Sequence, residues 1–433
     1  MTGRESFRPT KDLNTRAPRM RCMVEVLSVF LLIAGILIFG FLGDLIFQRY
    51  NIPDILFLIL LGMVLQRYVT GSAEHELIVQ FAPLFTTFAL VFLIYDGAFN
   101  INLESFAKGI GPSMLVTLLN FITSVFVVTL VARAFALVAG IAGFGWSQAL
   151  LMGFILGGVS SAFVIPVIKK IALSKDTYSI LTLESAMTDV FCIVSSLTMM
   201  EIIQLSTFNL AVVAGKITTL FAVAGFMGIL AGMLWIFLTK VFFRENKSYM
   251  ITLAYLLLLY VVTELLGGNG AIAALFFGLV LKNSRQLMRI GAAIMGSRQE
   301  HKALIVTSQM EQFFYSQISF LLKTFFFVFI GLQFNFHSTK TLVFGLLVAL
   351  AVGASRQVTF LLTKKRKELD QKISASIFAR GLAAAAIAQF AIDRNLFNAG
   401  IMLDMTYAAI IFTILFSSLR IFQVLRAHQQ PVQ

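Results

Sequence analysis

Long apolar runs alternate with short polar or basic connections along almost the whole chain. The runs fall near residues 23–47, 54–68, 79–95, 107–133, 147–169, 178–203, 211–239, 249–266, 270–282, 312–334, 340–363, 373–392 and 402–424. A bilayer core about 30 Å thick is crossed by about 20 apolar residues of helix, or by fewer where the segment is broken or paired. The pattern therefore predicts an all-α polytopic membrane protein with about 13 transmembrane helices. An odd number places the two termini on opposite sides.

Composition agrees with the pattern. The 433 residues are 58% hydrophobic and 13% charged, against about 25% charged in soluble domains. The two cysteines, Cys22 before the first run and Cys192 inside the sixth, offer no disulfide framework. No Cys/His spacing suggests a metal centre, and no cofactor is expected. The net charge of +13 could suit nucleic acid, but the basic residues sit in short connections between apolar runs, so the implied partner is membrane lipid. Residues 1–22 form a basic tail with no small-residue cleavage site after the run that begins at Met23, which argues for a true span rather than a signal peptide.

The basic residues also set the orientation. Lys169, Lys170 and Lys175, then Lys240, Arg244 and Lys247, the stretch from Lys282 to Lys302, Lys364 to Lys367 with Lys372, and Arg420 with Arg426 all fall on one side. The alternate connections hold few, chiefly Arg67, Lys340 and Arg394. The positive-inside rule then places the C-terminus in the cytoplasm and the N-terminus outside, in the plasma (inner) membrane. The basic tail opposes this, and a start at Met20 or Met23 would remove most of the conflict.

A weak internal repeat is visible. Ile55 to Leu65 in run 2 matches Ala271 to Leu281 in run 9, with Gly62 opposite Gly278. At the same offset of seven runs, Val91 to Ile94 followed by Gly97 to Asn100 resembles Phe327 to Asn335 in run 10. The expected organisation is a first six-helix repeat over 23–205, a linker helix over 206–243, a second repeat over 244–426 and a short tail over 427–433, with no soluble regulatory domain. Because seven is odd, the copies are inverted, a pattern that in secondary transporters encloses a midplane site. Leu, Phe and Gly-rich helices also resemble one another by chance, so the shared register and offset carry the argument.

The chemistry concentrates in runs 5, 6, 11 and 12. Gly157-Gly158 followed by Ser160-Ser161 and Pro166 can unwind run 5 at mid-depth and free backbone carbonyls for a cation, and Arg380-Gly381 with Ala383 to Ala386 marks the matching place in run 12. Small residues also serve close helix packing. Run 6 carries Glu184 and Asp189; Asp189, eleven residues past Tyr178, lies about 16 Å along the helix, near the midplane. An intramembrane carboxylate costs about 3 kcal/mol to insert and so faces a partner, a cavity or an ion. Ser185, Asp189, Cys192 and Ser196 form one stripe, and Glu184, Thr188 and Ser195 a neighbouring one, giving a polar arc expected to face run 5. Hard oxygen ligands suit a dehydrated monovalent cation, and a carboxylate that titrates lets cation and proton compete for one site. Arg356 and Arg380 are placed to neutralise Glu184 and the carbonyl ends of broken half-helices, while Lys323 admits two readings, a functional intramembrane charge or an ammonium that snorkels from an interfacial segment beginning at Glu311.

These residues resemble the monovalent cation/proton antiporter superfamily over nearly the whole chain. Its sodium/proton exchanger branch carries Glu-Ser-x-x-Asn-Asp in helix 6, which Glu184-Ser185-Ala186-Met187-Thr188-Asp189 matches with Thr for Asn. Further matches are Ile52-Pro53 with Gly62, Asp96-Gly97 with Asn100, Phe329 to Leu332, Arg356 and Arg380-Gly381. The resemblance implies discontinuous crossing helices 5 and 12, Asp189 as the ion- and proton-carrying acid assisted by Thr188, Ser185, Ser160 and Ser161, Glu184 paired with Arg356, and Arg380 supporting the helix 12 crossover. It also implies a homodimer whose scaffold supports moving spans 4 to 6 and 11 to 13. One departure is clear: Ser160-Ser161-Ala162-Phe163 stands where that branch usually has Thr-Asp-Pro, closer to the Ser-Ser-Thr-Ala of the potassium-efflux branch.

The expected function is alternating-access exchange of Na⁺ or K⁺ for H⁺, electroneutral because a single acid titrates, and acting in pH homeostasis. A gated K⁺ channel-like pathway on the same fold is the alternative, against which no acid ring or carbonyl-filter motif is visible. An enzyme is not expected, since no nucleophile/base constellation occurs.

Overall fold

The computed structural model describes residues 54–69, 73–99, 112–205, 210–241, 249–284, 309–334, 338–357 and 367–429, and, in the first run, residues 27, 30, 31, 33–43 and 45. The basic tail, Cys22, Ile52-Pro53 and Asn100 lie outside these residues. All regular structure among them is helical. That is the arrangement lipid demands, because a helix satisfies its backbone donors and acceptors within one segment.

The helices are α1 (Ile33–Gly43), α2 (Asp54–Val69), α3 (Ala73–Phe99), α4 (Pro112–Ala139), α5 (Trp146–Ile155), α6 (Ser161–Ile168), α7 (Lys175–Leu205), α8 (Leu210–Val241), α9 (Tyr249–Leu265), α10 (Gly270–Lys282), α11 (Gln309–Gln333), α12 (Thr339–Ser355), α13 (Glu368–Ser376), α14 (Leu382–Asp393) and α15 (Ala399–Gln429). Every apolar run holds helix. Five stretches, within α4, α7, α8, α11 and α15, are long and apolar enough to cross a membrane by length and composition alone.

Runs 5 and 12 are each split in two. Residues 156–160 separate α5 from α6, and residues 377–381 separate α13 from α14. A half-helix of ten residues reaches about 15 Å, half the bilayer core, so each pair ends near mid-depth. In run 5 the break falls at Gly157-Gly158, while Pro166 lies inside α6 and does not make it. In run 12 the break covers Ile377 to Gly381, although by helix propensity Gly381 is the one breaker there. The crossing with run 5, described below, supplies what the local sequence lacks.

Two packing units result. One contains α4 to α7 and α12 to α15; the other contains α2, α3 and α8 to α11. They meet mainly where α3 packs on α14 and α7, with lesser seams between α11 and α14 and between α7 and α8. In the second unit, α2 crosses α11 where Gly62 faces Gly331, so closely that a methyl group on Gly62 would overlap the Val328 carbonyl oxygen and lie 2.8 Å from Gly331 Cα. Likewise α10 crosses α3 where a methyl on Gly278 would lie 2.9 Å from the Tyr95 carbonyl and 2.7 Å from Ala98 Cβ. An offset of seven runs interchanges these two contacts. Small residues permit such backbone approach, the usual source of packing energy where lipid is as apolar as the side chains. Tyr95 and Tyr315 extend the seam in an edge contact at 5.5 Å, with their hydroxyls hydrogen-bonded at 3.1 Å.

Candidate ion-binding site

The two helix breaks cross each other. Ser160 N donates to the Ala379 carbonyl at 2.9 Å, so the extended strands of runs 5 and 12 share a backbone hydrogen bond at the centre of the first unit. Gly381, the N-cap of α14, lies against Ser160, and a Cβ there would overlap Ser160 Oγ and approach Ser160 Cβ to 2.5 Å. Its φ of −160° is ordinary extended backbone, so close approach, and not left-handed geometry, requires glycine here.

Each broken run leaves carbonyls without helical partners at the end of its first half-helix, and these carry the negative end of the helix dipole. Arginines from the second half of the chain meet both ends. Arg380, which is 1% exposed, donates through Nη1 to the Gly157 carbonyl at 3.0 Å and to the Gly158 carbonyl, and through Nη2 to Ser124 Oγ at 3.1 Å. Its backbone N donates to Thr413 Oγ1 at 3.1 Å. Arg356, at the C-cap of α12, donates through Nε to the Ser374 carbonyl near the end of α13 at 3.1 Å. It also forms a bidentate ion pair with Glu184, Nη1 to Oε1 and Nη2 to Oε2, the latter at 2.7 Å. Asn120 Nδ2 adds a hydrogen bond to Glu184 Oε1 at 3.1 Å. Glu184 and Arg356 are 2% and 4% exposed, so the pair is withdrawn from water and its charges cancel locally.

Thr188 and Asp189 face the break in run 5. Val159 N donates to Thr188 Oγ1 at 3.0 Å, which ties the extended strand to α7. Ser161 donates to Asp189 Oδ2 through Oγ at 2.5 Å and through its backbone N at 3.3 Å. Ser161 opens α6, so the Asp189 carboxylate sits at the positive end of that half-helix. Ser160 Oγ is buried without a hydrogen-bond partner. Cys192 Sγ lies one turn beyond, where a Cβ on Gly158 would approach it to 2.7 Å.

Of the two acids beside the run 5 break, Asp189 is partly exposed and Glu184 is buried. Exposure continues from Asp189 along α6, where Ser161, Ala162, Ile165 and Pro166 are partly exposed, to Lys169 at its C-cap, which is exposed. In the other direction along α7, Ile193, Ser196, Leu197 and Met200 are buried, and so is α14 from Leu382 to Ala391.

Of the residues singled out from the sequence, Asp189, Ser161, Thr188, Ser160 and Arg380 gather around the two breaks, and Glu184 joins Arg356 beside them. Ser185 is placed differently: its hydroxyl donates to the Thr182 carbonyl at 3.0 Å within α7, and the residue is fully buried. Lys323 lies in α11 over the Phe320 ring at 5.9 Å, away from the breaks. Sequence reasoning missed Asn120 and Ser124, the α4 partners of Glu184 and Arg380. With Thr117 they stand three and four residues apart on one face of an apolar run, a polar stripe that could have flagged them. It also missed Asp370, near the start of α13, which accepts hydrogen bonds from Ser174 Oγ at 2.5 Å and Thr177 Oγ1 at 3.1 Å and so joins the starts of runs 6 and 12.

The arrangement can hold a small cation or a proton. A carboxylate and hydroxyl oxygens meet at a helix break beside a partly exposed path, and nearby charges are already paired or spent on carbonyls. Among the described residues no cluster of His, Cys, Asp and Glu suits a multivalent metal.

Fold and site together define a polytopic helical membrane protein organised around two crossing, discontinuous helices. The transmembrane sodium/hydrogen exchanger family matches residues 29–427, and the chain belongs to that family. It is 24% identical to the K⁺/H⁺ antiporter NhaP of Alkalimonas amylolytica over 60% of this chain and 45% of that protein. It is 25% identical to the K⁺/H⁺ antiporter NhaP2 of Shewanella oneidensis over 54% of this chain and 40% of that protein. The match thus spans less than half the length of these relatives. Among solved structures, the sodium proton antiporter MjNhaP1 of Methanocaldococcus jannaschii at pH 8 superposes with a TM-score of 0.69 at 20% identity, covering 94% of this chain and all of that one.

Proposed function

We propose that the protein exchanges a monovalent cation, Na⁺ or K⁺, for H⁺ across the plasma membrane, with Asp189 as the shared site. The observation that carries this reading is the partly exposed carboxylate of Asp189 at the run 5 break, held by Ser161 at the head of a half-helix and flanked by the unpartnered hydroxyl of Ser160. Membership of the exchanger family supports it, as do the NhaP relatives described as K⁺/H⁺ antiporters.

The charge pattern favours electroneutral exchange. Glu184 cancels Arg356, and Arg380 is committed to the Gly157 and Gly158 carbonyls, so among the described charges at the two breaks Asp189 is left to alternate between a proton and a cation. The loaded site then carries the same charge in either form. Alternating access proceeds by movement of α4 to α7 and α12 to α15 against the other unit, which serves as the scaffold of a homodimer. The interchange of the α2–α11 and α3–α10 contacts under the seven-run offset supports inverted repeats.

Proteoliposomes with an imposed proton gradient test the proposal. Addition of Na⁺ or K⁺ collapses the gradient for the native chain and leaves it standing for Asp189→Asn. Equal collapse by both would remove Asp189 from the mechanism. With the membrane potential clamped by ionophore, an electroneutral cycle runs at an unchanged rate.

A further inference from the structure

Arg394 is one of the few basic residues on the connections that otherwise lack them. It sits at the C-cap of α14, in the packing unit that carries Asp189. Its guanidinium lies between carboxylates from both units: Nη1 is 3.5 Å from Glu201 Oε1 near the end of α7, and Nη2 is 3.6 Å from Glu264 Oε2 near the end of α9. Neighbours fix these groups in place. Gln204 Nε2 donates to the Arg394 carbonyl at 3.0 Å, the guanidinium lies 5.0 Å from the Phe390 ring centre, and Glu264 Oε1 accepts the Gly270 N–H at 2.8 Å, at the start of α10. One charge thus ties the ion-carrying unit to its neighbour across the seam.

The tie is on the side where Asp189 is sealed. Exposure leads from Asp189 along α6 toward Lys169, whereas the α7 stripe of Ile193, Ser196, Leu197 and Met200 and the α14 residues Leu382 to Ala391 are buried on the way toward Arg394. We infer that Arg394, with Glu201 and Glu264, is a gating latch that holds the Arg394 face closed while the site opens toward the Lys169 face. To expose Asp189 to the Arg394 face, the first unit must move against α9, and Arg394 must leave Glu264 while keeping Glu201, which travels with it. Glu264 is therefore the fixed half of the latch, and the basic residue that departs from the positive-inside pattern has a role. The inference rests on the alternating-access reading above.

The apparent affinity on each face scales with the fraction of molecules open to that face. Removing a tie made of partly exposed ion pairs shifts the ratio of the two open states by about threefold. In sealed vesicles of known orientation, titrated with Na⁺ and with K⁺, Arg394→Gln is expected to lower KM on the Arg394 face and raise it on the Lys169 face. Glu264→Gln, which leaves Arg394 paired to Glu201, gives the same opposed shifts, and Arg394→Lys, which keeps a positive charge between the two carboxylates, stays close to the native values. A fold defect would instead lower the rate without moving the two KM values apart. Unchanged KM values, or a shift in the same direction on both faces, overturn the latch.

A second readout needs no transport. Ala162→Cys in a Cys22→Ser background is treated with a membrane-impermeant thiol reagent from either face, and the ratio of its labelling rate from the Lys169 face to that from the Arg394 face is expected to fall about threefold when Arg394→Gln is added. An unchanged ratio also overturns the latch. A lowered ratio in a protein that shows no cation-driven proton flux keeps the latch and refutes the antiport reading instead.

Discussion

Replacing Glu184 by Gln should unfold the protein far more readily than its single-atom change suggests. The native carboxylate accepts two charge-assisted hydrogen bonds from Arg356 and one from Asn120, at a place where both charged side chains are almost inaccessible. In the variant the guanidinium stays behind without its counter-charge, and the new amide turns N–H donors toward donors. Breaking one side of a buried pair in this way costs roughly 3–5 kcal/mol, mostly the penalty of the stranded charge and not the worth of the pair itself. The double variant Glu184→Gln with Arg356→Gln removes the stranded charge. It loses the Arg356 Nε bond to the Ser374 carbonyl, about 1 kcal/mol, so it should be more stable than the Glu184→Gln single variant. Reversible unfolding of the purified protein in mixed micelles, run as a double-mutant cycle, measures the coupling. A Glu184→Gln variant within about 1 kcal/mol of the native protein, or a double variant that loses the sum of the two single losses, would refute the reasoning.

Three further outcomes follow from named contacts. Thr188→Val leaves the buried Val159 N–H without its acceptor and should cost about 1–3 kcal/mol in the same unfolding assay, with the cation KM raised because the run 5 break loses one of its ties to α7. Gly381→Ala forces a methyl group onto Ser160 and should nearly abolish proton-gradient collapse, with activity partly recovered when Ser160→Gly is added to relieve the overlap. Gly62→Ala meets backbone on α11 that cannot rotate away, so the melting temperature should fall while the cation KM of the surviving protein stays native; a shifted KM would mean that the α2–α11 crossing is coupled to the site.

The order of the apolar runs was readable along the whole chain, because a segment that must satisfy its own backbone in lipid announces itself by length and composition. The acid pair was equally readable, since a carboxylate inside such a segment stands out against its surroundings. The break in run 5 had a local cause in Gly157-Gly158. The break in run 12 had only Gly381, and its extended strand is completed by the Ser160 to Ala379 hydrogen bond and by Thr413 and Ser417, which lie far away in sequence.

What the sequence by itself determined was therefore the helical class, the places of the helices and the residues able to carry charge within them. The tertiary structure decided which of those charges are spent on one another. Glu184 and Asp189 are five residues apart on one helix, yet one lies against Arg356 and Asn120 and the other against Ser161 at a partly open break. It also decided that Arg394 spans two packing units. Hydropathy is a property of each segment and can be summed along the chain, whereas charge compensation depends on distances of a few ångströms between segments that only packing brings together.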